Sequence, residues 1–260
     1  MAIVLFREDL DTENELAVCK SIMTTYAHRT DIPSGSLVVG RYSVLPFYKE
    51  LDRELTSKGS RLINSYSEHC WISDLQNWYP YFEDITPKTW FSLEEFVAAK
   101  PSGSFVLKGQ TNSKKFNWDT HMYAESYDKV GQVYSRLLTD SLVGSQNIYI
   151  RAFHKLEKFG TAIGGIPITN EHRVFFLDGK PIASGYYWNS HLELKPANID
   201  LPPEYFLLDC GSRLKARFVV VDVARQEDGS WIVVELNDGQ MSGLETINPH
   251  DLYSEIQRRI

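Results

Sequence analysis

Two apolar runs joined by a short turn constrain the fold of this chain more than any other feature. Residues 217–226 read RFVVVDVARQ, and residues 230–238 read SWIVVELND. The intervening Glu227-Asp228-Gly229 favours a turn, because Asp-Gly tolerates the positive φ of a tight turn. Runs this rich in Val and Ile predict a β-hairpin that is buried in a sheet.

Three oxygen-bearing side chains interrupt this apolar hairpin. Asp222 lies on the first strand, and Glu235 and Asn237 share one face of the second, because they are two residues apart. Folding at the turn brings the three to one end of the ladder. Their oxygens suit one or two Mg²⁺ ions that also take phosphate oxygens as ligands. The alternative is that the two acids form structural ion pairs with nearby basic residues, which are Lys215, Arg217 and Arg225.

A second segment combines lysines with a loop of small residues. In SFVLKGQTNSKKFNW at 104–118, Lys108 ends an apolar strand, and Lys114 and Lys115 follow in a loop that contains Gly, Asn and Ser. Ammonium groups and backbone amides in this arrangement are suited to holding a polyphosphate. The spacing GxxxxGK[ST] of a Walker loop is absent. A solvated basic turn is the alternative interpretation.

Charged residues also interrupt two further strands. Arg151 lies inside NIYIRAF at 147–153, and Glu171 and Arg173 lie at the start of the next strand, whose apolar run ends near residue 179. A guanidinium on a half-buried strand usually has a fixed anionic partner, either a carboxylate or a phosphate. An Arg151–Glu171 pair is the structural alternative. Taken together, the three motifs indicate a cleft that binds a metal and a nucleotide.

The first part of the chain follows a different pattern. Over residues 1–64, short apolar runs alternate with amphipathic segments, including one at 15–27, which predicts a small open α/β lobe. The aromatic stretch at 65–92 contains two prolines and predicts short helices and a linker. Its aromatic side chains are better explained as core between lobes than as a peptide-binding surface. We therefore divide the chain into an α/β pre-domain with its linker, 1–92, and a second region, 93–260.

The second region predicts an α+β body with antiparallel sheets. Asp178-Gly179 is a hairpin signal between two apolar runs. Amphipathic spacing predicts helices at 127–142 and 202–216, and a last helix follows near 249–259.

Composition and charge exclude several classes of protein. The net charge of −7 and a sequence pI near 5.5 disfavour binding to duplex nucleic acid. The three cysteines are widely spaced and the seven histidines lack HxH and HxxxH spacings, which argues against a disulfide framework, a zinc cluster and a histidine-ligated metal. No apolar run approaches the roughly 18 residues of a membrane helix, and the first residues lack a secretory cleavage pattern. We expect a cytoplasmic protein that does not bind membranes.

The order of these motifs resembles the ATP-grasp superfamily. The shared features are the lysine strand, the Ser-Lys loop, the arginine strand, the Glu-x-Arg-Val-Phe strand and the final Asp…Glu-x-Asn hairpin. The chain looks most like the clade named for one arginine and two lysines, over residues 36–260. That clade includes phage and bacterial proteins and the eukaryotic cell-division-cycle protein that helps to assemble translation initiation factor 2. The resemblance implies two α+β subdomains that sandwich a nucleotide, preceded by an α/β pre-domain.

The resemblance also implies roles for individual residues. Lys108 and one of the two loop lysines would hold the phosphates, and Arg151 would contact the γ-phosphate side or the acceptor. Lys108 and Arg151 would thereby be catalytic, and backbone near Phe153 would meet the adenine. The full nucleotide-binding set would be Lys108, Lys114, Lys115, Arg151, Phe153, Glu171 and Arg173. The Mg²⁺ ligands would be Asp222, Glu235 and Asn237. The segment Glu235-Leu236-Asn237-Asp238 lacks the arginine that many ligases of the superfamily carry there.

The activity implied by the resemblance is an ATP- and Mg²⁺-dependent ligase. ATP would phosphorylate a carboxylate, and an amine or another nucleophile would then displace the phosphate, on a peptide, protein or amino acid. Such a transfer needs mainly positioning and charge neutralisation, so no nucleophilic side chain is required. Two alternatives stay open. The first is a non-catalytic ATP-binding assembly factor or chaperone, as the eukaryotic relative suggests, and the second is an interaction protein whose charged residues are structural pairs.

Overall fold

The computed structural model describes residues 1–11, 14–111 and 113–260. Within these residues the strands form three four-stranded sheets and one two-stranded ribbon. Asn112, which belongs to the predicted phosphate-binding loop, lies outside the described residues.

The first sheet is parallel and has the order β2-β1-β3-β4. Its strands are β1 (Ala2–Phe6), β2 (Thr25–Tyr26), β3 (Leu37–Arg41) and β4 (Arg61–Leu62), and its helices are α1 (Glu15–Ile22) and α2 (Tyr48–Ser57). This is the open α/β lobe that the apolar pattern predicts. The helix predicted over 15–27 is too long, because Thr25 pairs with Val4 and begins an edge strand.

The aromatic stretch forms two short helices, as predicted, and then an unpredicted strand. These elements are α3 (Tyr66–Ser73), α4 (Leu75–Phe82) and β5 (Thr89–Trp90). Trp78 and Phe82 are buried, in agreement with a core role for the aromatic residues. Because Thr89 pairs with Arg151, the linker also supplies an edge strand to the next sheet. The domain boundary at residue 92 stays a prediction.

The second sheet is antiparallel and carries the lysine and arginine strands. Its order is β5-β8-β6-β7, with β6 (Phe105–Gly109), β7 (Tyr123–Ala124) and β8 (Ile148–Ala152). One face packs against α5 (Leu93–Ala99) and α6 (Tyr127–Leu138). Val130, Val133 and Leu137 supply the buried face of α6, which gives this helix its predicted amphipathic spacing.

A ribbon and the third sheet complete the strand set. The ribbon, which was not predicted, pairs β9 (Lys158–Thr161) with β10 (Pro167–Thr169). The third sheet is antiparallel with the order β12-β11-β13-β14. Its strands are β11 (Glu171–Leu177), β12 (Lys180–Tyr186), β13 (Phe218–Arg225) and β14 (Trp231–Asp238). The predicted Asp178-Gly179 turn joins β11 to β12, with both residues at positive φ.

Both faces of the third sheet are buried. One face meets the first sheet and α8 (Pro249–Arg259), and Phe175, Phe218 and Val220 lie in this core. The opposite face meets α4 and α7 (Glu204–Arg213), and Val219 and Val221 lie there. Burial on both sides explains why the sequence of β13 is a continuous apolar run rather than an alternating one.

A buried ion pair connects the first sheet to the segment that follows β14. Arg41 Nε donates to Glu15 Oε1 at 2.8 Å, and both side chains are almost completely buried. Arg41 Nη2 also donates to the Ser242 carbonyl oxygen at 2.9 Å. The α/β lobe is therefore attached directly to the chain that leaves the final hairpin.

Candidate functional site

A β-bulge in the final hairpin decides which face its acids occupy. Val223 pairs with Val233, so a regular ladder would pair Asp222 with Val234. The observed partner of Asp222 is Glu235, because β14 accommodates one extra residue at this point. Cross-strand partners point to the same side of a sheet. The bulge thereby places the Asp222 and Glu235 carboxylates on one face.

Asp222 is held by an arginine on the neighbouring strand. Arg173 Nε and Nη2 donate to the two oxygens of Asp222, each at 2.9 Å, and the two residues are register partners in β11 and β13. Asn237 Nδ2 donates to Asp222 Oδ2 at 3.2 Å. Arg173 Nη1 also lies 3.3 Å from Glu245 Oε1. The structure thus brings Asp222, Asn237 and Arg173 into one hydrogen-bonded group.

The basic residues proposed as structural partners of these acids contact other groups. Lys215 Nζ lies 5.1 Å from the centre of the Tyr81 ring. Arg217 Nε donates to Asp178 at 2.7 Å. Arg225 pairs with Glu157 at 3.3 Å and with Asp200 at 3.0 Å. The two hairpin acids do form ion pairs, as the structural alternative predicts. Their partners, however, come from other strands: Asp222 pairs with Arg173, and Glu235 pairs with Lys108.

Glu235 forms an ion pair across the cleft between the second and third sheets. Lys108, on β6, donates through Nζ to Glu235 Oε1. Burial alone would raise the pKa of Glu235, but the charges of Lys108 and Lys115 hold it at about 2. The Glu235 carboxylate is therefore ionised at neutral pH, and the pair bridges the two sheets.

The two loop lysines have different surroundings. Lys115 Nζ donates to the Tyr187 hydroxyl and lies 4.6 Å from the centre of its ring. Burial disfavours the charged form of Lys115, but Tyr187 and the nearby carboxylates raise its pKa. Lys114 Nζ instead pairs with Asp140 Oδ2 at 2.9 Å. Of the two, Lys115 lines the cleft.

Arg151 is anchored by the backbone of the bulge. Its Nη1 donates to the carbonyl oxygen of Val234, the extra residue, at 2.7 Å, and its Nη2 donates to Thr86 Oγ1 at 2.8 Å. Arg151 is 6% exposed, and burial lowers its pKa to about 10. Its Nε is buried without a partner among the described residues. The hydrogen-bond partners of Arg151 in the described structure are therefore neutral oxygens. The pair with Glu171 that was the structural alternative is not formed among the described residues.

Glu171 contributes a further carboxyl group to the cleft. Burial raises its pKa to about 8, although the charge of Lys115 acts in the opposite direction. Asp222 also raises the pKa of Glu171. The ionisation of Glu171 is thus sensitive to any charge that enters the cleft.

The rest of the cleft lining is largely apolar and aromatic. The Phe153 ring lies 5.2 Å from Tyr123 and 6.5 Å from Trp118, measured between ring centres. The Phe153 N–H already donates to the Ser104 carbonyl oxygen at 2.9 Å. The predicted backbone contact to a base near Phe153 would therefore have to use another backbone group.

The charged and the aromatic residues line one open cleft, whose empty space, including its mouth, is about 890 Å³. Small-molecule sites likewise combine apolar walls with a few convergent polar groups. Its charged lining residues are Lys108, Lys115, Arg151, Glu171 and Glu235. Apolar lining residues include Val106, Trp118, Met122, Phe153, Ile166 and Ile232.

Residues 96–256 match a family of ATP-grasp domains, the third family of the clade named for one arginine and two lysines. The matched segment is more than half of the chain. The chain belongs to this ATP-grasp family. The resemblance inferred from the order of the motifs and the α+β ATP-grasp fold are thereby confirmed.

Solved structures share the fold of this ATP-grasp chain over its whole length. D-cycloserine synthetase DcsG superposes with a TM-score of 0.63 at 13% identity, covering 100% of this chain and 99% of that one. ATP-grasp ligase PsnB, complexed with a minimal precursor, has a TM-score of 0.61 at 11% identity with the same coverage. A RimK domain ATP-grasp protein from Sphaerobacter thermophilus DSM 20745 has a TM-score of 0.60 at 15% identity, covering 99% and 98%. Among curated proteins, no sequence matches this chain.

In the described ranges, no group of three or more His, Cys, Asp or Glu side chains is arranged to hold a metal ion. None of the helices in the described part of the chain is long and apolar enough to cross a membrane.

Sequence reasoning missed three residues of the ATP-grasp cleft region. Tyr187 contacts Lys115, and its ring also lies 4.9 Å from Arg173 Cζ. Thr86 holds Arg151, and His154 lines the cleft. Nothing in the local sequence distinguishes Tyr187 from the neighbouring aromatic residues, whereas the position of His154 directly after the arginine strand is a usable signal.

Proposed function

We propose that this protein is an ATP- and Mg²⁺-dependent ligase that joins a carboxylate to an amine or another nucleophile. One observation carries the proposal: a single cleft is lined both by cations and carboxylates and by aromatic rings. A nucleotide needs both, because its phosphates are anionic and its base is planar and apolar. D-cycloserine synthetase and ligase PsnB, which share the fold, support the ligase class.

The cationic residues of the cleft are suited to phosphates. Lys108 is charge-paired with Glu235, and a phosphate oxygen can take the place of that carboxylate, because both are anionic acceptors. Lys115 is the loop lysine that we assign to the phosphates, since it is the one that lines the cleft. The buried Nε of Arg151 has no partner in the described structure and supplies one further donor.

The hairpin acids fit a magnesium site that substrate completes. Asp222 and Glu235 are cross-strand neighbours, and the amide of Asn237 contacts Asp222. Two carboxylates and an amide oxygen are hard donors, and Mg²⁺ prefers such ligands with water and phosphate oxygens in the remaining positions. When bound, Mg²⁺ would neutralise charge on the phosphates. The structure of PsnB with Mg and ADP supports this pairing of metal and nucleotide in the fold.

The reaction we propose has two steps. The γ-phosphoryl group of ATP is transferred to a carboxylate oxygen, which gives an acylphosphate and ADP. The amine nitrogen then attacks the acyl carbon, the bond to the phosphate oxygen breaks, and the nitrogen loses a proton. Lys108 and Arg151 would hold the charge that develops on the phosphoryl group. The acceptor would be a peptide, a protein or an amino acid, and the complex of PsnB with a precursor peptide supports this class.

One observation favours a second candidate, a non-catalytic ATP-binding assembly factor. Asp238 follows Asn237, where many ligases carry an arginine. Its carboxylate accepts hydrogen bonds from Tyr48 at 3.0 Å and from Asn64 at 2.9 Å, and His69 Nδ1 lies at 3.0 Å. This position therefore joins the pre-domain to the hairpin, as expected of a protein that uses ATP to fix its lobes.

Nucleotide products distinguish the candidates. Purified protein receives Mg-ATP with pools of amino acids or peptides, and ADP and AMP are followed over time. Acceptor-dependent ADP supports the ligase, AMP indicates an adenylating enzyme, and tight ATP binding without turnover supports the assembly factor. We expect Lys108→Ala to abolish ADP formation and Lys129→Ala, on the exposed face of α6, to preserve it. Failure of the wild type to bind ATP would contradict both candidates.

A further inference from the structure

A chain of hydrogen bonds links the β13–β14 turn to His154, which lines the cleft. His154 Nδ1 lies 2.6 Å from Gln226 Oε1, and Gln226 Nε2 lies 2.6 Å from Ser230 Oγ. Ser230 Oγ lies 2.6 Å from Asp228 Oδ1. Because His154 lines the cleft, residues of a turn outside the cleft can orient a side chain inside it.

The chemistry of the groups fixes the direction of each bond. Hydrogen bonds from Ser230 lower the pKa of Asp228, and an ionised carboxylate can only accept. Ser230 therefore gives its one hydroxyl proton to Asp228 and accepts from the amide nitrogen of Gln226. This arrangement turns the carbonyl oxygen of Gln226 towards His154. Since that oxygen can only accept, the proton of neutral His154 is on Nδ1, and Nε2 carries a lone pair.

The backbone holds His154 in this position. The Glu227 N–H donates to the Lys155 carbonyl oxygen at 3.0 Å, and the Glu157 N–H donates to the Arg225 carbonyl oxygen at 2.8 Å. These bonds fasten the segment after β8 to the final hairpin. No hydrogen bond among the described residues involves His154 Nε2, so its lone pair is available to a ligand.

We propose that His154 selects the base of the nucleotide. The Nε2 lone pair accepts a hydrogen bond from an exocyclic amino group, as on adenine, and opposes a keto oxygen, as on guanine or hypoxanthine. This inference rests on the proposed nucleotide function and adds base selection to it. A keto oxygen that faces the Nε2 lone pair of His154 cannot donate a hydrogen bond, so both acceptors are left unsatisfied. The selectivity therefore arises mainly because the base with the keto group binds more weakly.

The test compares ADP with inosine diphosphate, which has a 6-keto group and the accompanying N1 proton in place of the 6-amino group. Titration calorimetry on the wild type should show ADP binding about tenfold or more tightly, as one hydrogen bond provides. His154→Phe keeps a ring but removes the nitrogens, and the affinity ratio should fall towards one. Gln226→Leu keeps His154 but no longer fixes which ring nitrogen carries the proton, so the affinity ratio should fall to an intermediate value. Glu227→Ala, at an exposed position in the same turn, is the matched control and should keep the wild-type ratio.

The outcomes separate this inference from the function on which it rests. Wild-type ratios in both His154→Phe and Gln226→Leu, with unchanged melting temperatures, would overturn base selection and leave nucleotide binding intact. Absence of binding of either nucleotide to the wild type would contradict the proposed function itself. Gln226 is partly exposed, so its variant keeps the test valid if His154→Phe does not fold.

Discussion

Lys114 and Lys115 are neighbours in sequence, but they should differ in their effect on ATP binding. Lys115 lies in the cleft, whereas Lys114 pairs with Asp140 away from it. A hydrogen bond to a charged group contributes about 1.5–3 kcal/mol. We expect Lys115→Ala to weaken ATP binding about tenfold or more and Lys114→Ala to change it by less than about twofold. Calorimetry on both variants tests this, and an equal loss in the two would contradict the assignment of Lys115.

Glu235 should be the residue that makes nucleotide affinity depend on Mg²⁺. Its carboxylate is ionised and lies beside Asp222. In the wild type, we expect ADP to bind more tightly with Mg²⁺ than with EDTA. Glu235→Gln removes the charge, so this difference should nearly disappear. Glu235→Gln also loses the ion pair with Lys108, but this loss affects ADP binding equally with Mg²⁺ and with EDTA. The ratio of the two affinities within the variant therefore reports on the metal alone. A difference of wild-type size in the variant would remove Glu235 from the metal site.

His172 should make the folded state sensitive to acid. Burial lowers its pKa to about 4, whereas the unfolded chain has the ordinary value of about 6.5. As the pH falls below about 6.5, the unfolded state binds the proton first, so stability decreases and approaches a loss of about 3 kcal/mol near pH 4. Urea unfolding of the wild type and His172→Gln at pH 7 and pH 4.5 measures this. The variant should lose less stability, and equal losses would contradict the prediction.

Charged residues on apolar strands could be identified from the sequence, but their partners could not. Lys108, Arg151 and Glu171 stand out because burying an unpaired charge is costly. Which groups neutralise them depends on contacts between distant segments. Glu235 pairs with Lys108, and Arg151 binds the backbone oxygen of the residue that forms the bulge. No local pattern contains that information.

Helix α7 approaches the β11–β12 turn so closely that a side chain would not fit. A Cβ on Gly211 would collide with the Gly179 carbonyl oxygen. We expect Gly211→Ala to destabilise the fold by about 1–3 kcal/mol through overpacking. Gly131, in α6, has nothing within 4 Å of its Cβ position, so Gly131→Ala should stabilise by about 0.5–1 kcal/mol through helix propensity. Chemical denaturation of both variants checks the opposite signs, and destabilisation by both would show that contact with the turn is not the cause.

Long apolar strands could be predicted, whereas the β9–β10 ribbon could not. The runs that became β11 and β13 are seven and eight residues long, and burial determines their type. The β9–β10 ribbon was not predicted, because its strands are three or four residues long and contain Gly and Pro. Its pairing is stabilised by the surrounding structure rather than by its own pattern.

The Arg41–Glu15 pair should stabilise the attachment between the α/β lobe and the rest of the molecule. Arg41→Ala leaves Glu15 buried without its cation and removes a donor from the Ser242 carbonyl oxygen. Breaking a buried pair costs about 3–5 kcal/mol. The double variant Arg41→Ala, Glu15→Ala should recover part of this loss, because no buried charge is left unpaired. Urea unfolding measures both, and a double variant no more stable than Arg41→Ala would contradict the argument.

The family could be inferred from the order of the motifs along the chain, because the order of strands reflects the topology of the fold. The docking of the α/β lobe could not be inferred. Arg41 ends an apolar strand and has no feature that distinguishes it from a surface arginine, although it is fully buried. Its partners are a helix on one side and a segment about 200 residues away on the other.

The bulge at Val234 also restricts how this protein can change its length. Side chains alternate between faces along a strand, yet Val233 and Leu236, three positions apart, both pack against α4 and α7, because the extra residue lies between them. Straightening β14 without a deletion would pair Asp222 with Val234 and turn the Glu235 carboxylate into that apolar core. Deleting Val234 would restore regular alternation and leave Glu235 opposite Asp222, but it would remove the carbonyl oxygen that anchors Arg151. The bulge and the number of residues between Val233 and Leu236 therefore have to change together.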